Sequence, residues 1–131
     1  MNYFGIDWGK NKVGVALGSD ETNVAVPFDI VRFDIVAAGF EKMEKLVKEN
    51  LIDGFVIGVP TKKDLSEDLR KFIDELKKRF ALPVYIVDEK VTTKLANKLL
   101  AGRGKDEDSV SAMIILQNFL DGKKHECFDK N

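Results

Sequence analysis

Phe4-Gly5-Ile6-Asp7-Trp8-Gly9, followed after a short polar turn by Val13-Gly14-Val15-Ala16-Leu17-Gly18, decides how this chain is read. An apolar run ends on an aspartate, turns through glycine, and returns as a second apolar, alternating run. That is the pattern of two antiparallel strands joined by a tight turn. Asp7 stands where the first strand stops, with burial-seeking residues on either side. An ionised carboxylate beside a sheet core is unfavourable unless something pairs with it. Asp7 therefore caps the turn, binds a cation, or does both. Aspartate near glycine is also a common turn former, so this residue alone leaves the choice open.

Working outward, Val24 to Phe33 is a third extended run, and Pro27 makes it an edge strand. Asp34 is a candidate N-cap for a helix to about Glu49, with Phe40, Met43, Leu46 and Val47 at three- and four-residue spacing. Phe55-Val56-Ile57-Gly58-Val59 is a continuous apolar run, as expected of a strand covered on both faces. A second helix spans about Leu65 to Phe80, and Val84-Tyr85-Ile86-Val87 forms another buried strand ending at Asp88-Glu89. Thr92 or Thr93 caps a helix to about Leu100, Ala101-Gly102-Arg103-Gly104 breaks it, and a last helix runs from about Asp108 to Asp121. The residues beyond Gly122 read as a tail. The order β-β-β-α-β-α-β-α-α, with right-handed crossovers, predicts a mixed five-stranded sheet of order 3-2-1-4-5 with helices on both faces. Strands 1 and 4 then lie side by side where the connection direction changes, the usual place for a crevice in an open α/β sheet. Asp7, Gly58 and Glu89 gather at the carboxyl ends of the parallel strands.

At 131 residues the chain is expected to form one domain, 1–131, large enough to bury a core without staples. No stretch approaches the roughly 20 apolar residues of a membrane span, and the start has no basic-then-apolar leader. With the single cysteine, Cys127, these features predict a cytoplasmic protein with no membrane partner. One histidine, His125, excludes a His-rich zinc site; it and Cys127 read as tail residues. The net charge of -1 argues against coating nucleic acid by bulk charge. Position matters more than the sum. Lys10 and Lys12 follow strand 1, Lys62 and Lys63 follow Pro60, Lys90 and Lys94 follow the last strand, and Arg103 and Lys105 flank the glycine loop. If these loops share one sheet edge they make a basic rim there; lysines also populate loops for no reason but solvation.

Glu89 near a helix start is favoured by the helix dipole whatever its role, and Asp108 can be an N-cap. The helical wheel sharpens the case for Asp108, which heads the stripe Asp108, Ala112, Ile115, Phe119, with small Ser111 and Ala112 allowing close approach to the sheet. Three acids at one edge would raise one another's pKa unless a divalent cation sat between them. Mg²⁺ takes oxygen ligands and is held by few carboxylates plus substrate phosphate. Two ions roughly 4 Å apart can hold both the attacking and the leaving oxygen of a phosphodiester. The chemistry predicted is metal-dependent phosphodiester hydrolysis, with Mg²⁺ or Mn²⁺, two ions in number, on Asp7, Glu89 and Asp108.

Gly5-Ile6-Asp7-Trp8-Gly9 through Ala16 resembles the opening of the YqgF proteins, RuvC-like members of the ribonuclease H superfamily. Ile57-Gly58-Val59-Pro60 resembles their Gly-Leu-Pro turn, and Val87-Asp88-Glu89-Lys90-Val91-Thr92-Thr93 their Asp-Glu-Arg segment with its following Thr. Asp108-Ser109-Val110-Ser111-Ala112 resembles their closing helix. Four motifs in order cover nearly the whole chain. Lys90 stands where the family has Arg, and Thr61 to Ser66 replaces an Asp-Gly-Thr-like sequence. The resemblance implies a ribonuclease H-like fold and Asp7, Glu89 and Asp108 as catalytic metal-binding acids. It also implies a bacterial nuclease maturing the 5′ end of small-subunit (pre-16S) ribosomal RNA in ribosome biogenesis. Gly58 and Thr92, in the matching segments, join Lys10, Lys12, Lys62, Lys63, Lys90, Arg103 and Lys105 as candidate substrate contacts. Partners would be nucleic acid, a precursor rRNA ahead of a four-way DNA junction, and ribosomal precursor particles; the chain would act as a monomer or homodimer.

An actin-like ATPase lobe also opens with Asp, Gly and a hairpin, but needs two lobes to close on nucleotide. A phosphate-receiver domain would follow strand 1 with a helix. A Holliday junction resolvase, or a non-catalytic nucleic-acid-binding module that keeps the fold, is the stronger rival. Binding phosphate alone would favour removing negative charge from the groove, so three acids argue for catalysis.

Overall fold

Alternation in the first strand sorts its residues onto two faces, and everything else is placed by that sorting. Tyr3 and Gly5 face one way, Phe4 and Ile6 the other, in β1 (Asn2–Trp8). The computed structural model describes residues 1–59, 65–88, 107–122 and 126–127. β2 (Lys12–Ser19) returns antiparallel with Asp7 opposite Gly14 and Gly5 opposite Ala16. β3 (Val24–Arg32) pairs antiparallel with β2 and forms the sheet edge. Its register shifts where Val15 pairs with Asp29 but Ala16 with Pro27, which leaves Phe28 as an extra residue. The proline thus sits at an edge and a bulge, both places where its missing N–H costs no ladder bond.

α1 (Val36–Glu49) leads to β4 (Gly54–Val59), parallel to β1, and α2 (Glu67–Phe80) leads to β5 (Val84–Asp88), parallel to β4. The last helix, α3, spans Glu107–Leu120, and a two-residue strand β6 (Glu126–Cys127) pairs antiparallel with β5. The sheet order is β3-β2-β1-β4-β5-β6. The expected order of the first five strands holds, and the tail adds a sixth strand in which Cys127 pairs with Tyr85. The helix expected over 92–100 and the glycine loop at 101–104 lie outside the described residues.

Two helix starts differ in kind. Ser66 caps α2, its Oγ accepting from the Leu69 N–H at 3.1 Å. Asp34 does not cap α1 as expected: Ile35 holds the cap position with no side-chain bond. The Asp34 carboxylate instead accepts from Arg32 at 3.4 Å, two residues back along the chain. A nearby guanidinium competes for the same oxygen that a cap would use.

The two faces carry separate cores. Against α1 and α2 lie Phe4, Ile6, Val13, Val15, Phe55 and Ile57, with Phe33, Phe40 and Phe72 among the packing side chains. Against α3 lie Tyr3, Ala16, Ala25 and Val56, with Ala112, Ile115 and Leu116 from the helix. Of the stripe expected on the last helix, Ala112 and Ile115 are buried while Asp108 and Phe119 are half-buried, and Val110, Ile114 and Leu116 are buried beside it. No described helix is long and apolar enough to cross a membrane.

Candidate active site

Asp7 and Asp108 reach the same end of the sheet by different routes. Asp7 is the sixth residue of β1 and half-buried. Strand alternation puts it on the α3 face, two residues beyond Gly5. There a Cβ on Gly5 would lie 2.6 Å from the Ala112 carbonyl oxygen and 2.7 Å from Leu116 Cβ. Asp7 pairs across the hairpin with Gly14, and a Cβ on Gly14 would run into the backbone carbonyl of Asp108. The first turn of α3 therefore rests on the backbone opposite Asp7. Only glycine permits that approach at position 14, because any side chain would occupy the space of the helix backbone. Carrying the parallel register of β1 and β4 one step past Ile6–Ile57 sets Gly58 at the level of Asp7 on its other side. Gly14 and Gly58 add no side chain beside Asp7, and the space over Gly14 is taken by the Asp108 backbone.

Lys12, the first residue of β2, reaches Asp108 with Nζ 3.0 Å from Oδ2, a pair in which both side chains keep part of their surface in water. The acid at the head of the apolar stripe thus has a cation beside it, as its burial requires. Ser109 and Ser111 are both buried in the same helix start. Lys10 is exposed in the hairpin turn. Of the other expected site residues, Glu89, Lys62, Lys63, Lys90, Thr92, Arg103 and Lys105 lie outside the described residues, as does Lys94. Asp7, Gly58, Lys12 and Asp108 are brought to one end of the sheet.

Carboxylate oxygens are hard donors of the kind Mg²⁺ and Mn²⁺ select. The ammonium held by Asp108 shows that this end of the sheet accepts positive charge. The residues present fit a divalent cation. Among the described residues no three acidic, histidine or cysteine side chains converge. The sequence did not single out Gly14 or the Lys12–Asp108 pair. Small residues at alternate positions, Gly14, Ala16 and Gly18, were the available signal, since a period-two run of them on a strand marks a closely docked helix. Nor did it find Gln117, whose side chain accepts from the Ala25 N–H and donates to the Asn23 carbonyl, tying α3 to the edge strand at 2.9 Å each.

Residues 1–122 match the family model RuvX, described as Holliday junction resolvase. A curated protein of Rickettsia bellii, named "Putative pre-16S rRNA nuclease", is 34% identical, with 88% of this chain and 82% of its own covered. A protein of the same name from Rickettsia felis is 32% identical, covering 91% and 85%. Among solved structures, T. thermophilus RuvC in complex with Holliday junction substrate superposes with a TM-score of 0.57 at 11% identity, over 93% of this chain and 95% of that one. The Fowlpox virus resolvase, solved with Holliday junction DNA, gives 0.55 at 12% identity, over 93% and 98%. At such identities these neighbours establish the fold, which is ribonuclease H-like.

Proposed function

The chain belongs to the RuvX (YqgF) family of nucleases, and from that premise we propose that its substrate is precursor small-subunit ribosomal RNA, cut at the 5′ end. The reading takes residues 1–131 as one nuclease domain. It is supported by the proteins named for pre-16S rRNA that match this chain over most of their length. The observation that carries the catalytic part is the docking of the Asp108 backbone on Gly14, directly across from Asp7.

In this reading Asp7, Asp108 and Glu89, which follows the last residue of β5 in sequence, hold the divalent ions, Mg²⁺ or Mn²⁺. A bound cation there supplies charge stabilisation at the phosphoryl oxygens and an activated water. The chain's own residues do the rest. The glycines beside Asp7 keep bulk away from the carboxylate. Lys12 pairs with Asp108, and its ammonium would meet substrate phosphate once the acid takes up metal. Lys10, Lys62, Lys63, Lys90, Arg103 and Lys105 screen backbone charge along the path, and Gly58 and Thr92 contact the substrate.

A cleavage assay on purified protein tests this. A precursor rRNA fragment should be cut near its mature 5′ end with Mg²⁺ or Mn²⁺ and left intact with chelator. Asp108→Asn should lower the rate by about 10²–10³-fold, the rate equivalent of a few kcal/mol of metal-borne stabilisation. Symmetric nicking of a four-way DNA junction, with the RNA untouched, would favour the second reading, a dimeric resolvase. The matching family description and the fold of the junction-bound neighbours support that alternative.

A further inference from the structure

On the opposite face of β1 from Asp7, the next residue, Trp8, forms one wall of a groove of about 290 Å³. Its floor is aromatic. Phe72 lies with its ring 6.4 Å from the Trp8 ring, Phe40 stacks on Phe72 at 5.8 Å, and Phe33 meets both edge-on. The three phenylalanines are buried, whereas Trp8 is half-buried and packs against the same core. The rim carries Lys10 from the hairpin turn and Asp68, Lys71 and Glu75 from α2. Two cations face two carboxylates, so the groove has no net charge to offer a phosphate.

We propose that this groove takes an unstacked nucleobase of the substrate, from a nucleotide next to the scissile phosphate. The inference rests on the nuclease reading and deepens it, since it makes single-stranded or unpaired nucleic acid the substrate class at the cut. Three observations favour a base as occupant. The groove adjoins the catalytic end of the sheet, because Asp7 and Trp8 are consecutive and a strand passing over the end of β1 can reach both faces. A half-buried aromatic wall lining the groove suits a flat ring, which stacks whatever its identity. A neutral rim suits the uncharged part of a nucleotide. Asp68 can accept from exocyclic amino groups, as acidic side chains do from cytosine, whereas Glu75 Oε2 already accepts from Arg79 Nε at 3.0 Å. Lys10 stands between groove and sheet end, where the adjoining phosphate would lie. A larger cavity at the other end of β1, lined by Asn2, Leu17 and Val24, has no such continuity with the acids.

Trp8 is the only tryptophan, so it reports its own occupancy. The full chain is titrated in chelator with a short single-stranded RNA and with an abasic strand of the same length and charge. The base-bearing strand should quench Trp8 fluorescence and bind at least about tenfold more tightly, in line with stacking measured by alanine substitution. Trp8→Ala should weaken binding by about 5- to 150-fold, and Trp8→Phe, which keeps a ring, by about threefold or less. Equal binding of both strands, or unchanged fluorescence at saturation, overturns the proposal even if Trp8→Ala fails to fold. Unchanged affinity in a folded Trp8→Ala protein overturns it as well. The nuclease reading fails by a different measurement, the absence of metal-dependent cleavage of nucleic acid by the wild-type protein, so the two can fall separately.

Discussion

The two faces of this sheet are packed on opposite plans. The α1/α2 face is thick: Phe4, Phe40 and Phe55 are fully or almost fully buried there, with Met43, Ile57 and Leu76 filling between them. The α3 face is thin. Gly5, Gly14, Ala16 and Gly18 present almost no side chain, and the helix lies directly on the strands, so that a Cβ on Gly18 would come within 2.9 Å of Leu116 Cδ2. Large side chains on the first face bury apolar area and hold the domain together. Their absence on the second lets a helix backbone approach a strand backbone, which brings an acid from each to the same edge. The larger apolar core lies on one side of the sheet and the candidate acids, Asp7 and Asp108, on the other.

Substitutions can break that division or sharpen it. The largest effect is expected from Phe55→Ala, fully buried on the thick face and away from the Trp8 groove. Loss of a buried aromatic should cost about 3–5 kcal/mol of unfolding free energy in urea. Cleavage per folded molecule should stay within about twofold, close to the wild-type rate, since each 1.36 kcal/mol off the barrier would change it tenfold. A matching loss of turnover in the folded protein would show that the faces are not independent.

Gly14→Ala comes next, on the thin face. Its methyl would enter the space of the Asp108 carbonyl, and overpacking of that kind costs about 1–3 kcal/mol. Here the stability loss should be smaller than for Phe55→Ala but the fall in cleavage larger, because α3 must lift and carry Asp108 with it. Activity that tracks stability alike in both variants would erase the contrast.

Lys12→Gln should be milder. The Lys12–Asp108 pair is partly exposed on both sides, and such pairs contribute about 0.2–1 kcal/mol. Melting in chelator should therefore shift little. Metal titration followed by melting temperature should show tighter binding in the variant, because the cation no longer competes with a resident ammonium. Weaker metal binding would mean that Lys12 orients Asp108 rather than competing for it.

The smallest effect belongs to Tyr3, under α3. Burial raises its phenol above the usual tyrosine value, with Asp20 adding to the shift. The neutral phenol is the form the fold favours, so this contribution is intact below the unfolded-state pKa of about 10 and is lost as pH rises through the folded value. Tyr3→Phe should remove that part of the alkaline destabilisation and leave stability at neutral pH nearly unchanged. An unaltered alkaline limb in a pH-melting series would assign the loss to other groups.

Much of the candidate site was legible before the coordinates, and for a local reason. Asp7 ends an apolar alternating run and Asp108 heads an apolar helical stripe, and both features are visible within a few residues of themselves. Gly14 was not legible as a site residue. Its importance depends on which residue faces it across the hairpin and which helix crosses above it. The Trp8 groove was missed for the same reason, since its wall and floor come from β1, the end of β3, α1 and α2. Asp34 failed as a cap because Arg32 competes for its carboxylate, and a capping pattern does not weigh that competition.

By itself the sequence determined the first five strands and the described helices, their order, and the parallel or antiparallel sense of each neighbour among those strands. Hydrophobic period and the handedness of crossovers are enough for that, because each is set by backbone geometry alone. Tertiary structure alone decided how close α3 comes to the sheet, that Lys12 holds Asp108, that Trp8 has a half-open wall, and that the tail pairs with β5. Each of those depends on the distance between segments far apart in the chain. That distance is fixed by the summed volume of the side chains between them, which no local pattern records.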